Sequence, residues 1–130
     1  MDRTERVKFK DSKDSKDSKD FWEFSNFLTI AQERKWTQHA IDAQVTIQNN
    51  SPDLIEGLAR KMDQLVIDQT VAWSYGPIDL DTFYTIPSHH YAEVADRMGD
   101  LYSPLVEKSI EKLLRVYTSL SNQAAEQPSQ

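Results

Sequence analysis

Hydrophobic residues recur at helical spacing through most of the chain. The clearest stripe consists of Leu54, Ile55, Leu58, Ala59, Met62, Leu65, Val66 and Val71. Steps of three and four residues place these side chains on one face of an α-helix. Ser51-Pro52-Asp53 supplies a start signal for this helix, and Gly76-Pro77 supplies a stop signal. The pattern therefore predicts a helix from Pro52 to a point before Gly76.

Similar signals predict the other helices. Thr29 and Gln32 have the spacing of a capping box, which predicts a helix from Thr29 to about Gln44. Residues 78–87 are predicted to form a short helix or turn followed by a loop. An apolar stripe from Tyr91 to Tyr102 predicts a helix capped by Ser88. Ser103-Pro104 then repeats the start signal, so we expect this helix to stop or kink there and a last helix to reach Leu120.

The two ends of the chain have little apolar character. From residue 10 to residue 20 the sequence repeats Lys-Asp-Ser, which cannot bury surface, so this stretch is predicted to be a mobile tether. Val7 and Phe9 alternate with charged neighbours, and a short strand over residues 6–10 is the alternative to a frayed tail. The aromatic-rich stretch from Phe21 to Leu28 is predicted to be a short helix capped by Asp20, or a loop laid on the core.

These patterns together predict an all-α protein. We expect a small bundle of four to five helices over residues 21–120, preceded by a flexible charged segment at 1–20 and followed by a disordered tail at 121–130. A chain of 130 residues supports one domain of this kind.

Composition and charge narrow the function further. The chain has no cysteine and three glycines, which excludes disulfides, thiol nucleophiles and glycine-rich phosphate loops. It carries 15 Lys and Arg against 21 Asp and Glu. Because residues 1–20 hold seven of the basic and six of the acidic residues, the remainder has a net charge of -7 and is predicted not to bind nucleic acid. The absence of a long apolar run argues against a membrane span, and the N-terminus lacks the apolar region of a secretory signal, so we expect a cytoplasmic protein.

Candidates for catalysis or metal binding are few. His89 and His90, with Glu93, Asp96 and Asp100 on the same predicted helix, are one potential ligand set, but their spacing matches no recognised zinc motif. The alternative is that these histidines are exposed polar residues at a helix start. The sequence contains no GxSxG elbow, and carboxylate pairs such as Asp79 and Asp81 are typical of any acidic surface. We therefore predict a protein that is not an enzyme and needs no cofactor or metal.

One stretch resembles a known family. Leu65-Val66 is followed by the segment from Trp73 to Phe83 (WSYGPIDLDTF) and then by Ile86-Pro87, while residues 7–11 read VKFKD. This order, over roughly residues 54–105, is similar to that of small tail assembly chaperones of long-tailed bacteriophages. The resemblance implies a non-enzymatic factor in the host cytoplasm that binds the tape measure protein, recruits tail tube protein and is absent from the finished virion. In some phages a longer product arises by ribosomal frameshifting.

Seven residues are predicted to bind the partner. Five of them lie around the Gly-Pro loop and are predicted to rim a groove: Trp73, Tyr75, Phe83, Tyr84 and Ile86. The alternative is that Trp73 and Ile86 fill the core beneath the loop. Phe21 and Trp22 belong to the second aromatic cluster, for which packing in the core is again the alternative. Homo-oligomerisation is left open. A second functional hypothesis is a structural virion or tail adaptor protein that docks through its N-terminal segment.

Overall fold

The fold combines a small sheet with a layer of helices. A computed structural model describes residues 3–10, 17–49 and 51–126. In chain order the elements are β1 (Thr4–Lys10), β2 (Asp17–Ser25), α1 (Ile30–Asn49), α2 (Pro52–Gln69), β3 (Thr70–Trp73), α3 (Leu80–Phe83) and α4 (Ser88–Glu126). The three strands form one antiparallel sheet with β2 in the centre. Helix α1 packs against α2 and α4, and α2 packs against α3.

The sheet overturns the prediction of an all-α bundle. In β1, Val7 and Phe9 are buried while Arg6 and Lys8 are exposed, so the alternation in the sequence does mark a strand. In β2, Trp22 and Phe24 are completely buried on the same face of the sheet. Residues 21–25 of the stretch predicted as a helix or loop therefore form the end of the central strand. The two-residue period is hard to recognise in the sequence, because Phe21 on the other face of the strand is aromatic as well.

The third strand shortens α2. The helix was predicted to continue almost to Gly76, but α2 ends at Gln69 and the next four residues form β3, in which Thr70, Ala72 and Trp73 pair with β2. Thr70 marks the change, because its hydroxyl accepts a hydrogen bond from Trp22 Nε1 at 2.9 Å and donates one to the Val66 carbonyl oxygen, also at 2.9 Å. Trp73 lies opposite Trp22 in the register. Pairing with a buried central strand thus outweighs the helical period at Val71.

The helix starts follow the sequence signals. The predicted capping box forms at α1, since the Thr29 backbone N–H donates to Gln32 Oε1 at 2.9 Å and the Gln32 backbone N–H donates to Thr29 Oγ1 at 3.2 Å. Helix α2 begins at Pro52, with Ser51 as N-cap. Helix α4 begins at Ser88 but continues through Pro104 to Glu126, so the predicted stop does not occur. A single long helix replaces the last two helices of the prediction.

The core joins the sheet to all of the longer helices. One cluster of buried apolar residues includes strand residues, Trp36 of α1, Leu65 to Ile67 of α2 and Val94 to Val106 of α4. At its centre, Gln69 Nε2 donates hydrogen bonds to the Phe27 carbonyl oxygen at 3.1 Å and to the Tyr102 hydroxyl oxygen at 3.0 Å. The Tyr102 hydroxyl in turn donates to the Ser25 carbonyl oxygen. This network ties the end of β2 to α2 and α4.

Two predicted segments are described only in part. Positions 11–16 of the predicted tether and positions 127–130 of the predicted disordered tail lie outside the described residues. Residues 4–10 and 17–20 of the tether belong to β1 and β2, and residues 121–126 of the predicted tail belong to α4.

Candidate functional site

Three of the seven predicted partner-binding residues lie in the core. Trp22 is fully buried, Trp73 is 7% exposed and Phe83 is 8% exposed. The ring of Trp22 makes edge-to-face contacts with both, at centroid distances of 5.1 Å to Trp73 and 6.2 Å to Phe83. Such pairs stabilise a fold beyond the burial of their area. In the isolated chain these three rings hold β2, β3 and α3 together.

Tyr75 lies at the edge of the same cluster. Its ring is 5.8 Å from that of Trp73, and its hydroxyl is 2.8 Å from His90 Nδ1. Burial, assisted by the negative charge of Asp20, raises the pKa of Tyr75 above its ordinary value. The imidazole of His90 is 4% exposed and stacks on Phe9 at a centroid distance of 3.9 Å. This contact joins β1 to the start of α4, so the expectation of an exposed histidine is wrong for His90.

The remaining predicted residues do not share one surface. Ile86 is half-buried against the core. Phe21 is half-buried on the opposite face of β2 from Trp22, with the guanidinium carbon of Arg6 at 4.4 Å from its ring centroid. Tyr84 is 59% exposed, and its hydroxyl donates to Asp63 Oδ2 at 2.8 Å, which raises the pKa of Tyr84. Trp22, Trp73, Tyr75 and Phe83 are therefore brought together. Tyr84 contacts the outer side of this group, with its ring centroid 5.4 Å from that of Phe83, whereas Phe21 lies on the other face of β2.

The histidine-acid set on α4 does not form a ligand cluster. Within residues 3–10, 17–49 and 51–126, no group of three or more His, Asp or Glu side chains is placed to hold a metal ion. Glu93 instead pairs with Arg97 at 3.5 Å along the helix. None of the helices in these ranges has both the length and the apolar character that a bilayer crossing requires.

A groove runs between α1 and α2. Two cavities of about 280 and 420 Å³ adjoin one another and share Asp42 and Lys61 in their linings. Over its length the groove is lined on α1 by Lys35, Gln38, His39, Asp42, Val45, Thr46 and Asn49, and on α2 by Asp53, Leu54, Gly57, Leu58, Lys61, Gln64, Leu65 and Asp68. From residue 35 to residue 49 this corresponds to about 20 Å, or four helical turns. We call this surface the α1–α2 groove.

The groove has an apolar floor and a charged rim. Leu58 and Leu65 lie between the helices, while Val45 and Leu54 are 52% and 53% exposed at the far end. Lys61 and Asp42 place both charge signs along the groove. Across the middle of the groove, His39 Nε2 lies 3.0 Å from the Leu58 carbonyl oxygen and joins the two helices. Beside this contact residue 57 is glycine, and a Cβ atom added there would meet no atom within 4 Å.

The sequence pattern alone does not reveal the groove. A sequence signal for an additional apolar surface lies in α2. Its apolar residues, at positions 54, 55, 58, 59, 62, 65 and 66, are more numerous than a single buried helix face requires. Only the pairing of α1 with α2 shows which of these side chains point into open space.

Comparison with protein-family models, with curated proteins and with solved structures finds no match for this chain.

Proposed function

We propose that this protein is a non-enzymatic binding protein that holds an amphipathic helix of a partner in the α1–α2 groove. The observation that carries the proposal is the groove itself, which has leucine side chains at its floor and charged residues at its rim. Its two halves, on either side of the His39–Leu58 hydrogen bond, together extend over about four helical turns. A partner helix laid in such a groove buries its apolar face and keeps its polar face in water. The mixed charges of the rim favour a partner helix whose flanks carry both signs.

The resemblance to tail assembly chaperones supplies a particular partner. On this proposal the partner is the tape measure protein, whose long apolar helices need protection in the host cytoplasm until tail tube protein assembles around them. An acidic body suits such a role, because its charge keeps a chaperone with bound apolar cargo soluble. The proposal assigns the cargo to the α1–α2 groove rather than to the loop between β3 and α3, whose largest rings are buried.

Coexpression with a tape measure protein tests the proposal. We expect this chain to increase the fraction of tape measure protein that remains soluble. Gly57→Leu fills the groove, and because leucine favours a helix interior over glycine, the variant should fold at least as stably as the original chain. Gly99→Leu is the matched control, since Gly99 also lies within a helix and an added Cβ there also meets no atom within 4 Å.

Gly57→Leu should abolish the gain in soluble tape measure protein, and Gly99→Leu should leave it unchanged. A second pair uses neighbouring side chains of α2: Leu54 lines the groove and Ile55, 45% exposed, does not. Leu54→Glu should therefore weaken binding more than Ile55→Glu. If the tape measure protein stays insoluble with the original chain, or if purified virions contain this protein in fixed copy number, the chaperone proposal is wrong and a structural role replaces it.

A further inference from the structure

The outer edge of β1 presents backbone groups that β2 does not use. The Asn26 backbone N–H donates to the Arg3 carbonyl oxygen at 2.9 Å, so the backbone of Arg3 faces β2. Hydrogen bonds alternate along an antiparallel pair. Every second residue from Arg3 onwards therefore faces β2, and the residues between them direct their N–H and carbonyl groups away from it. The residues that face away are Thr4, Arg6 and Lys8.

The central strand gives the same result for Lys8. Lys8 lies opposite Phe21 in the register. The Phe21 N–H donates to Ser74 Oγ at 3.0 Å, and the Phe21 carbonyl oxygen accepts a hydrogen bond from the Ser74 N–H at 3.1 Å. Both backbone groups of Phe21 are therefore used on the β3 side of the strand. Among the described strands, the order β1-β2-β3 leaves the outer edge of β1 without a neighbour.

The side chains along this edge are mainly basic. Residues 3–8 carry three basic side chains and one acidic side chain, a net charge of +2, so the other residues of the chain have a net charge of -8. Arg6 shares its charge with Glu23 at 3.1 Å, whereas Lys8 is exposed and forms no ion pair with any described residue. Like charges on neighbouring strands oppose pairing. The edge therefore disfavours a second copy of β1 and favours an acidic strand.

The two faces of β1 specify the pattern of such a strand. On the outer face of the sheet, residues of an added strand lie about 5 Å from Arg6 and Lys8, so acidic side chains there form cross-strand pairs. On the inner face, the added strand continues the side that holds Val7 and Phe9, which are at most 2% exposed. Apolar side chains therefore suit the alternate positions of the added strand.

We propose that the edge of β1 from Thr4 to Lys8 binds an extended segment of a partner protein in which acidic and apolar residues alternate. The segment adds to the sheet as a fourth strand beside β1. Main-chain hydrogen bonds hold the segment, and the charges of Arg6 and Lys8 select it. This edge shares no residue with the α1–α2 groove, so either proposal can fail without the other.

Amide hydrogen exchange, measured by NMR on the full chain, tests the backbone contact. The probe is an end-blocked peptide with the sequence Glu-Val-Glu-Val-Glu-Val-Glu. In the free protein, the amides of Glu5 and Val7 should exchange slowly and those of Arg6 and Lys8 quickly. Saturation with the peptide should slow exchange at Arg6 and Lys8 about tenfold and change it less at Val7. Binding without this protection, or no binding up to about 1 mM peptide, would overturn the proposal.

Lys8→Pro separates the backbone contact from the charge. It removes the outward N–H of residue 8, and proline is tolerated on an edge strand where the N–H faces water. Lys8→Thr is the matched control, because it removes the same charge but keeps the N–H in a residue that favours strands. Lys8→Thr should raise the dissociation constant of the peptide up to about fivefold, and Lys8→Pro about tenfold more than that. Equal effects of the two substitutions would mean that charge alone attracts the peptide, and strand addition would be refuted.

Lys8→Glu tests the charge preference and keeps the backbone intact, so it remains decisive if circular dichroism shows that Lys8→Pro unfolds. It should weaken binding of the glutamate peptide about tenfold and strengthen binding of the peptide in which lysine replaces glutamate. If the original chain binds the lysine peptide as tightly as the glutamate peptide, the edge does not select acidic segments. If a single-stranded oligonucleotide of about 15 nucleotides binds more tightly than the glutamate peptide, the basic edge is a phosphate site instead.

Discussion

Removal of one hydroxyl group from the centre of the fold should be costly. Tyr102 is 1% exposed, and its hydroxyl accepts a hydrogen bond from Gln69 Nε2 at 3.0 Å and donates one to the Ser25 carbonyl oxygen. Tyr102→Phe leaves both of these groups without their partner while it keeps the ring in place against Trp36, 5.0 Å away. A buried group that loses its partner costs about 1–3 kcal/mol. Since Ser25 is only half-buried, we expect a total loss of about 2–3 kcal/mol.

Gln69 retains one hydrogen bond in Tyr102→Phe, because its Nε2 atom also donates to the Phe27 carbonyl oxygen at 3.1 Å. The second N–H of the amide loses its acceptor. The Gln69 Oε1 atom is buried and accepts no hydrogen bond from any described residue, so the amide has no other contact that offsets this loss. A loss of this size is a large part of the total of about 5–15 kcal/mol that stabilises a typical domain.

Urea unfolding followed by circular dichroism and tryptophan fluorescence measures the loss. With a slope of about 2 kcal/mol per molar urea, the midpoint should fall by about 1–1.5 M. Tyr117→Phe is the control, because that side chain is 67% exposed and should change the stability by less than about 0.5 kcal/mol. In a double-mutant cycle with Gln69→Leu, the two changes should cost less together than their sum. If Tyr102→Phe has no greater effect than Tyr117→Phe, the network does not stabilise the fold.

Three further predictions concern other parts of the chain. The raised pKa of Tyr75, caused mainly by burial and then by the charge of Asp20, means that the unfolded chain loses this proton first as pH rises. Stability should therefore be unaffected by this group below about pH 10 and should fall above it, and Tyr75→Phe should reduce that fall in urea titrations between pH 9 and 11. Trp22→Ala removes a side chain that is fully buried, and calorimetry should show a loss of about 3–5 kcal/mol or an unfolded chain; a loss below about 1 kcal/mol would contradict its place in the core. Pro104→Ala restores a backbone donor inside α4, so the free energy of unfolding should increase by about 1–3 kcal/mol and the melting temperature should rise. An unchanged or lower melting temperature would indicate that proline fits the helix without cost.

The candidate site was only partly accessible from the sequence. The residues selected around the Gly-Pro loop do lie near one another, but Trp73 and Phe83 fill the core, as the alternative for Trp73 had it. Exposure depends on which neighbours cover a ring, and β2 supplies those neighbours from a distant part of the chain. The α1–α2 groove depends on the same kind of information, because a gap between two helices is a property of their packing.

Local signals determined where the helices start. The capping box at Thr29 acts through side-chain hydrogen bonds, and the Ser51-Pro52 pair acts through backbone angles. Both act within one helical turn, so a short stretch of sequence is enough to place these helix starts. Only the tertiary structure decided where β2 and β3 form and where α2 ends. Strands are stabilised by partners that are remote in sequence, and the pairing of Trp22 with Trp73 joins residues 51 positions apart. The apolar spacing that predicts a helix at Val71 is a weaker influence than this strand pairing. One more helical turn gains little stability, whereas β2 offers backbone hydrogen bonds and the contact of the Trp22 ring with Trp73.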